Sequence, residues 1–163
     1  QIFLESDLFF AGMRPAVNVG LSVSRVGGAA QTKAMKKASG SIRIDLAQYR
    51  EMEVFTQFSS DLDEATKAQL TYGSCLMELL KQPLCSPLKL HEQVITLWAA
   101  THKAFVHVET KKIKQYQKEL LEYFDNVYPE VGREINESKQ LSDELGEKIL
   151  QIAEEFRSRS AAE

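Results

Sequence analysis

The sequence predicts a mainly α protein, in which a helical bundle of about five helices follows a short strand-containing segment. Three observations support this fold class. From residue 30 onward the chain is rich in strong helix formers. Its last segment spaces apolar residues as one face of an amphipathic helix does, at Leu145, Ile149, Ile152 and Phe156. Residues 16–24, by contrast, form an apolar run with β-branched residues, which is typical of a buried strand.

The first 28 residues have a mixed pattern. Residues 2–4 are typical of the end of a strand, and residues 6–11 of a short helical turn that Gly12 and Pro15 bring to an end. The strand predicted over residues 16–24 follows. Because one or two strands cannot form a stable sheet alone, residues 1–28 are expected to be the edge of a larger α/β domain.

Five helical segments follow this edge. Gly40 is a weak point in the first of them, Asp63 is the predicted cap of the second, and Pro129 ends the fourth. Between the second and third helices, Pro83 and Pro87 delimit a loop. The predicted helices cover residues 30–58, 63–81, 91–105, 111–127 and a last segment from 143.

Composition limits the class of protein. A chain of 163 residues, 44% hydrophobic and 26% charged, is typical of one ordinary globular domain. No apolar run approaches the roughly 20 residues of a membrane helix, and the N-terminus lacks a signal-peptide pattern, so no direct membrane insertion is expected. Lys33, Lys36 and Lys37 have no interleaved aromatic residues, which favours a solvated helix face over a nucleic-acid site.

Neither the cysteines nor the histidines form a recognisable metal motif. Cys75 and Cys85 lack metal-ligand spacing and are expected to be reduced thiols. The three histidines, at His91, His102 and His107, do not form a ligand set in the sequence. We therefore expect no metal site.

Arg25 stands out among the charged residues. It ends the apolar run and precedes the Gly27–Gly28 pair, after which a helix is expected. The carboxyl end of a strand is where α/β proteins place ligand chemistry, and glycines allow close approach. The alternative is an arginine that pairs with a carboxylate at the strand end.

Several segments, taken in order, resemble the C-terminal part of the alpha subunits of rotary ATP synthases. The resemblance is dense over residues 1–83, and it is looser but collinear over residues 84–163. The segments are QIFL at 1–4, RPAVNVG at 14–20, SVSRVGGAAQ at 22–31, KAMKK at 33–37, DLAQYRE at 45–51, SDLD at 60–63 and LLKQ at 79–82.

The resemblance implies a domain organisation and partners. Residues 1–28 would be the edge of the nucleotide-binding domain, and residues 29–163 the C-terminal helical bundle. The alpha subunit would alternate with beta subunits around the central gamma stalk and would meet the peripheral delta subunit through its full-length chain. The assembly would carry ATP or ADP with Mg at the cytoplasmic face of a bacterial plasma membrane, or at the equivalent organelle inner membrane. The chain lacks a G-x-x-x-x-G-K-[ST] loop, so it is not expected to bind nucleotide tightly or to be active alone.

The resemblance also implies roles for particular residues. Arg25 would be an arginine finger that reaches the catalytic site of the adjacent beta subunit, and such fingers contribute about 10³–10⁵ in rate in other nucleotidases. Ser22 would be required for activity by coupling that interface, and Ser24 would share its strand face. The residues around a non-catalytic nucleotide would be Phe9, Arg14 and Gln82.

This sequence departs from the family pattern near that nucleotide. Leu84 and Cys85 stand where the family commonly has Gln and Tyr, so weaker recognition of the base is expected. The resemblance also places the loop of Asp61 and Asp63 near the rotating stalk. The alternative function is a self-contained helical protein-interaction module with no catalytic role, which requires residues 1–28 to pack as part of an independent fold.

Overall fold

The computed structural model describes residues 1–56 and 63–160, so the predicted role of Asp61 lies outside the described residues. It confirms the mainly α fold class. A short 3-10 turn at Thr110–Lys112 precedes α7. The helices are α1 Ser6–Phe10, α2 Arg25–Ala30, α3 Lys33–Ala38, α4 Ile42–Thr56, α5 Glu64–Leu80, α6 Leu90–Thr101, α7 Ile113–Val127, α8 Pro129–Ser138 and α9 Asp143–Ser160.

The helix predicted over residues 30–58 is broken, and this is one reason why the bundle has more helices than expected. The hydroxyl of Thr32 accepts a hydrogen bond from Met35 N at 3.2 Å and caps α3. At the other end, Ser39 Oγ donates to Met35 O at 2.8 Å. Gly40 follows, and α4 starts at Ile42. Hydroxyls that bond to the backbone favour helix ends, so the break lies next to the glycine that the sequence indicated.

A second difference is α8, which the sequence reasoning missed. Pro129 ends α7 as predicted, but it is also the first residue of the next helix. Proline suits this position because an N–H group at the start of a helix has no helical partner, so its absence costs no hydrogen bond. Asp63 occupies the N-cap position of α5, as predicted, and its carboxylate accepts a hydrogen bond from the Thr66 hydroxyl.

The core of the bundle forms around α6. This helix contacts α3, α7, α8 and α9, while α5 packs between α4 and α7. A Cβ built on Gly73 of α5 would lie 2.2 Å from Tyr49 Cδ2, so α4 and α5 approach closely only because residue 73 is glycine. Fully buried side chains come from α3 and from each of α5 to α9, and they include Ala34, Leu76, Val94, Ile95, Leu120, Phe124, Val131, Ile135 and Ile149. The division of the chain at residue 28 stays a prediction.

One carboxylate ties α9 to the α7–α8 corner. Glu155 accepts hydrogen bonds from Tyr128 Oη at 2.7 Å and from Tyr123 Oη at 2.8 Å, and it pairs with Arg159 at 2.8 Å. The hydrogen bonds from Tyr128 and Tyr123 lower the pKa of Glu155 below its ordinary value of 4.5. The carboxylate form is therefore favoured in the folded protein.

This pKa shift predicts part of the acid sensitivity of the fold. A lowered folded-state pKa stabilises the protein above the unfolded value, and that stability is lost as the pH falls through the folded value. Glu155→Gln should therefore lower the free energy of unfolding at pH 7 and flatten its decline below about pH 5. Urea unfolding at pH 7, 4 and 3 measures both effects. Glu147→Gln, an exposed position on the same helix, is the control; equal pH profiles for the two variants would contradict the prediction.

Candidate functional site

The predicted strand over residues 16–24 is wrong. Residues 1–5 and 16–18 do lie side by side, with Glu5 N donating to Ala16 O at 3.0 Å and Asn18 N to Phe3 O at 2.9 Å. Within the part of the protein that the structure describes, however, they form only one isolated antiparallel bridge, between Leu4 and Val17.

The buried Asn18 explains why the extended run stops. Its Oδ1 accepts from Leu21 N at 3.0 Å, and its backbone O accepts from Ser22 N at 3.0 Å, so the chain turns over residues 18–22. Its Nδ2 donates to Glu5 Oε1 at 2.6 Å and holds the turn against the first residues. Asparagine favours such local bonds over a strand ladder.

Ser22 and Ser24 therefore do not share a strand face. Ser22 Oγ accepts from Phe3 N at 3.0 Å, whereas Ser24 Oγ accepts from Gly27 N at 2.9 Å and caps α2. A Cβ on Gly27 would lie 2.9 Å from Ser24 Oγ, so glycine at position 27 leaves space for the capping hydroxyl. The helix thus begins at Arg25, before the glycine pair and not after it as expected.

Arg25 is the first residue of α2 and is exposed. Across residues 1–56 and 63–160, no hydrogen bond or ion pair holds its guanidinium. The carboxylate pairing considered as an alternative is not found there. Its neighbours Val23 and Val26 are 57% and 80% exposed. Helix α2 has no buried residue, and the extended residues Gln31 and Thr32 join it to α3.

The structure brings together the three residues that the resemblance assigned to a second nucleotide. The guanidinium of Arg14 lies 4.4 Å from the centre of the Phe9 ring, in cation–π geometry. Gln82 N donates to Arg14 O at 2.8 Å, and Gln82 Nε2 donates to Ser86 O at 2.9 Å. Nearby Leu84 is 94% exposed. The Phe9 ring and the Arg14 guanidinium are therefore in contact, and the Gln82 backbone joins the Arg14 backbone.

Arg14 and Gln82 of this cluster also line a groove of about 760 Å³, which lies between the 81–89 loop, α6 and α7. The polar groups in its floor are paired. Lys114 Nζ donates to Leu79 O at 2.8 Å and to Gln117 Oε1 at 3.1 Å, and Gln117 Nε2 donates to Thr96 Oγ1 at 3.2 Å. Burial lowers the pKa of Lys114 below its usual value. Residues that line the groove include Arg14, Gln82, Gln93, Lys114, Lys118 and Asp125.

The cysteines and two of the histidines have separate environments. Cys75 and Cys85 are both free, and burial raises the pKa of the Cys75 thiol to about 11. His102 packs on Trp98 with ring centres 4.1 Å apart, and His107 packs on Tyr116.

His91 is different, and here the sequence reasoning missed a cluster. His91, Glu92 and Asp125 bring their side-chain ligand atoms within 4.8 Å of one another. Asp125 is remote in sequence and reaches His91 only because α6 packs on α7. Spacing along the sequence therefore held no signal for this cluster.

Across the described residues, no helix combines the length and the apolar content needed to cross a bilayer.

Comparison with known proteins identifies the family. The model of the family "ATP synthase alpha/beta chain, C terminal domain" matches residues 31–156.

Similar curated proteins include those called ATP synthase subunit alpha from three organisms. The Petrotoga mobilis protein is 51% identical over 156 residues, 96% of this chain and 31% of that protein. The Clostridium botulinum protein is 49% identical over 158 residues, 97% of this chain and 31% of that protein. The Aquifex aeolicus protein is 47% identical over 159 residues, 98% of this chain and 32% of that protein. The chain spans about a third of the length of these relatives, and it belongs to the family of C-terminal domains of the ATP synthase alpha and beta subunits.

Proposed function

We propose that this chain serves in a rotary ATP synthase alpha subunit and that Arg25 is the arginine finger for the catalytic site of an adjacent beta subunit. The observation that supports the finger is the exposed Arg25 guanidinium, without a partner among the described residues, at the first position of a capped helix. A charged group that makes no bond among the described residues is available to a phosphate held by another subunit.

The chemistry of guanidinium suits this role. It is planar and permanently charged, and it can donate two hydrogen bonds to the oxygens of a γ-phosphate. Negative charge spreads over those oxygens during phosphoryl transfer, so a guanidinium placed there stabilises the transition state. Ser22 would act indirectly, because its hydroxyl ties Phe3 N to the segment that leads into α2. Loss of that bond would change how Arg25 is presented to the partner.

The Phe9–Arg14–Gln82 cluster is proposed to face a second nucleotide, ATP or ADP with Mg, which is held on the alpha subunit and is not turned over. The Phe9 ring and the Gln82 amide suit contacts with a base, and the charge of Arg14 favours an anionic ligand. Leu84 and Cys85 offer no side-chain amide or phenol there. We therefore expect weaker discrimination between adenine and other bases than in relatives with Gln and Tyr.

Further partners follow from the same proposal. The alpha and beta subunits would alternate around a gamma stalk, with delta bound through the full-length alpha subunit, on the cytoplasmic face of a bacterial plasma membrane or at an organelle inner membrane. The N-terminal segment exposes large apolar side chains: Ile2, Leu4 and Phe10 are 72%, 71% and 83% exposed. Such a surface supports the proposal that another subunit or domain covers this segment.

Site-specific photo-crosslinking in the assembled enzyme tests where Arg25 lies. We expect p-benzoylphenylalanine in place of Val26, which adjoins Arg25 and is 80% exposed, to capture the beta subunit on irradiation. The same probe at Glu147, an exposed residue of α9, should capture much less beta. Capture of no subunit from Val26 in a fully assembled enzyme would contradict the finger and favour an interaction module without a catalytic role.

A further inference from the structure

A histidine and two carboxylates converge where α6 begins and α7 ends. His91 and Glu92 lie in the first turn of α6, and Asp125 lies in the last turn of α7. Their ligand atoms lie within 4.8 Å of one another. The exposed fractions of these side chains are 8% for His91, 17% for Glu92 and 46% for Asp125. The cluster is therefore buried on the histidine side and open on the aspartate side.

Neighbouring groups fix the histidine ring. Asn136 of α8 donates from Nδ2 to His91 Nδ1 at 2.9 Å. A Cβ on Gly132 of the same helix would lie 3.0 Å from His91 Cδ2, so α8 packs directly against the ring. These contacts direct Nε2 towards Asp125, whose Oδ1 lies 3.3 Å away.

Glu92 is also held in place. Its Oε2 accepts a hydrogen bond from Lys89 N at 2.5 Å, the capping bond of α6. Lys89 Nζ lies 3.8 Å from Glu92 Oε1, but its side chain is 70% exposed and can move into solvent. One carboxylate oxygen can therefore bind a cation without loss of the capping bond.

We propose that one divalent metal ion, Zn²⁺ or an ion with similar ligand preferences, binds to His91 Nε2, Glu92 and Asp125. One imidazole and two carboxylates are ligands that zinc accepts, and three protein ligands leave a fourth position for water. The two carboxylates balance the charge of the ion. Glu92 and Asp125 also line the 760 Å³ groove, which gives the ion a path from solvent. Such an ion would bridge α6 and α7 at the wall of the groove.

Metal binding requires a change of histidine tautomer. With Asn136 Nδ2 donating to Nδ1, the ring proton is on Nε2, which lies 3.3 Å from Asp125 Oδ1. To free the Nε2 lone pair, the proton moves to Nδ1 and the Asn136 amide turns over, so that Oδ1 accepts it. A metal-bound histidine commonly donates its other N–H to an oxygen in this way.

Zinc titration with a matched control tests the proposal. The chelator-treated protein, titrated with Zn²⁺ by calorimetry, should bind one equivalent. Asp125→Asn should weaken binding by at least about tenfold. Glu122→Gln is the control, since Glu122 lies one turn earlier on α7, lines the same groove and is 58% exposed in a pair with Lys118; its affinity should be unchanged. No zinc binding, or equal losses in the two variants, would overturn the site.

A second variant and a spectroscopic readout separate ligation from a purely structural role. Asn136→Ala should lower zinc affinity about 10–100-fold. In ¹⁵N NMR of the unaltered protein, zinc should shift the His91 Nε2 resonance and change Nδ1 from an unprotonated to a protonated nitrogen. Zinc that binds without changing the His91 resonances would overturn the assignment, even if Asp125→Asn weakened binding.

Discussion

Replacing Arg25 with alanine in the assembled enzyme is expected to lower multisite ATP turnover by about 10³-fold or more, while nucleotide still binds. The guanidinium would stabilise charge that develops on the γ-phosphate mainly in the transition state, so its loss affects the rate more than the ground-state affinity. A 10³-fold effect corresponds to about 4 kcal/mol of activation free energy. Steady-state turnover and equilibrium nucleotide binding, measured on the same preparation, separate the two quantities.

The controls for this prediction use the exposure of Arg25. Because its guanidinium makes no bond within the described residues, the substitution should leave folding and assembly unchanged. Arg25→Lys retains the charge but not the planar two-bond geometry, so turnover should stay low. Arg133→Ala, at an exposed position of α8, should turn over normally. Normal multisite turnover of Arg25→Ala would refute the finger.

The largest expected effect on stability is at Phe124. Its side chain is 1% exposed in the centre of the bundle, and it lies on α7, which packs against α5, α6, α8 and α9. Phe124→Ala removes a buried ring and leaves a cavity, which should lower the free energy of unfolding by about 3–5 kcal/mol. Guanidinium unfolding of the protein at 25 °C measures this loss.

A chemically identical substitution on the surface is the control. Phe10 is 83% exposed, so Phe10→Ala should change stability by no more than about 0.5 kcal/mol. Losses of similar size for the two variants would mean that Phe124 is not part of a well-packed core.

The parts of the fold that the sequence predicted are those governed by local periodicity. The α9 face is the clearest case: Leu145, Ile149 and Ile152 are buried, and Phe156 packs at the edge of the same core. Hydrophobic spacing determines which face of a long helix is buried, whatever the surrounding topology. Proline and glycine signals likewise marked the ends and weak points of several helices.

The predicted helix and strand boundaries were wrong where a short polar side chain bonds to the nearby backbone and so overrides the hydrophobic pattern. Ser39 ends α3 through a bond to its own helix, and Asn18 turns the chain where β propensity predicted a strand. β propensity needs a neighbouring ladder to be expressed, and the described residues supply only one bridge. A proline in a sequence can end one helix or begin the next. Pro129 does both, and only the packing of α8 reveals the second role.

The candidate site residues could be recognised in the sequence to different degrees. Arg25 is marked by its own neighbours in the sequence. Phe9, Arg14 and Gln82 come from separate segments, so only the family resemblance could group them. The grouping of His91 with Asp125 depends on how α6 packs against α7 and α8, which no local pattern records.

The short helix that begins at Arg25 has a mechanical consequence. Helix α3 is anchored, because Lys37 binds Asp143 Oδ1 and Leu141 O, and Ala34 N donates to Lys139 O. Helix α2 buries nothing in the bundle and is joined to α3 by two extended residues. On its other side, α2 follows a segment tied to the first residues, since Phe3 N donates to Ser22 Oγ and the amino group of Gln1 donates to Val23 O. The orientation of Arg25 is therefore set by the contacts of residues 1–3 with residues 22–23, and not by packing of α2 against the core.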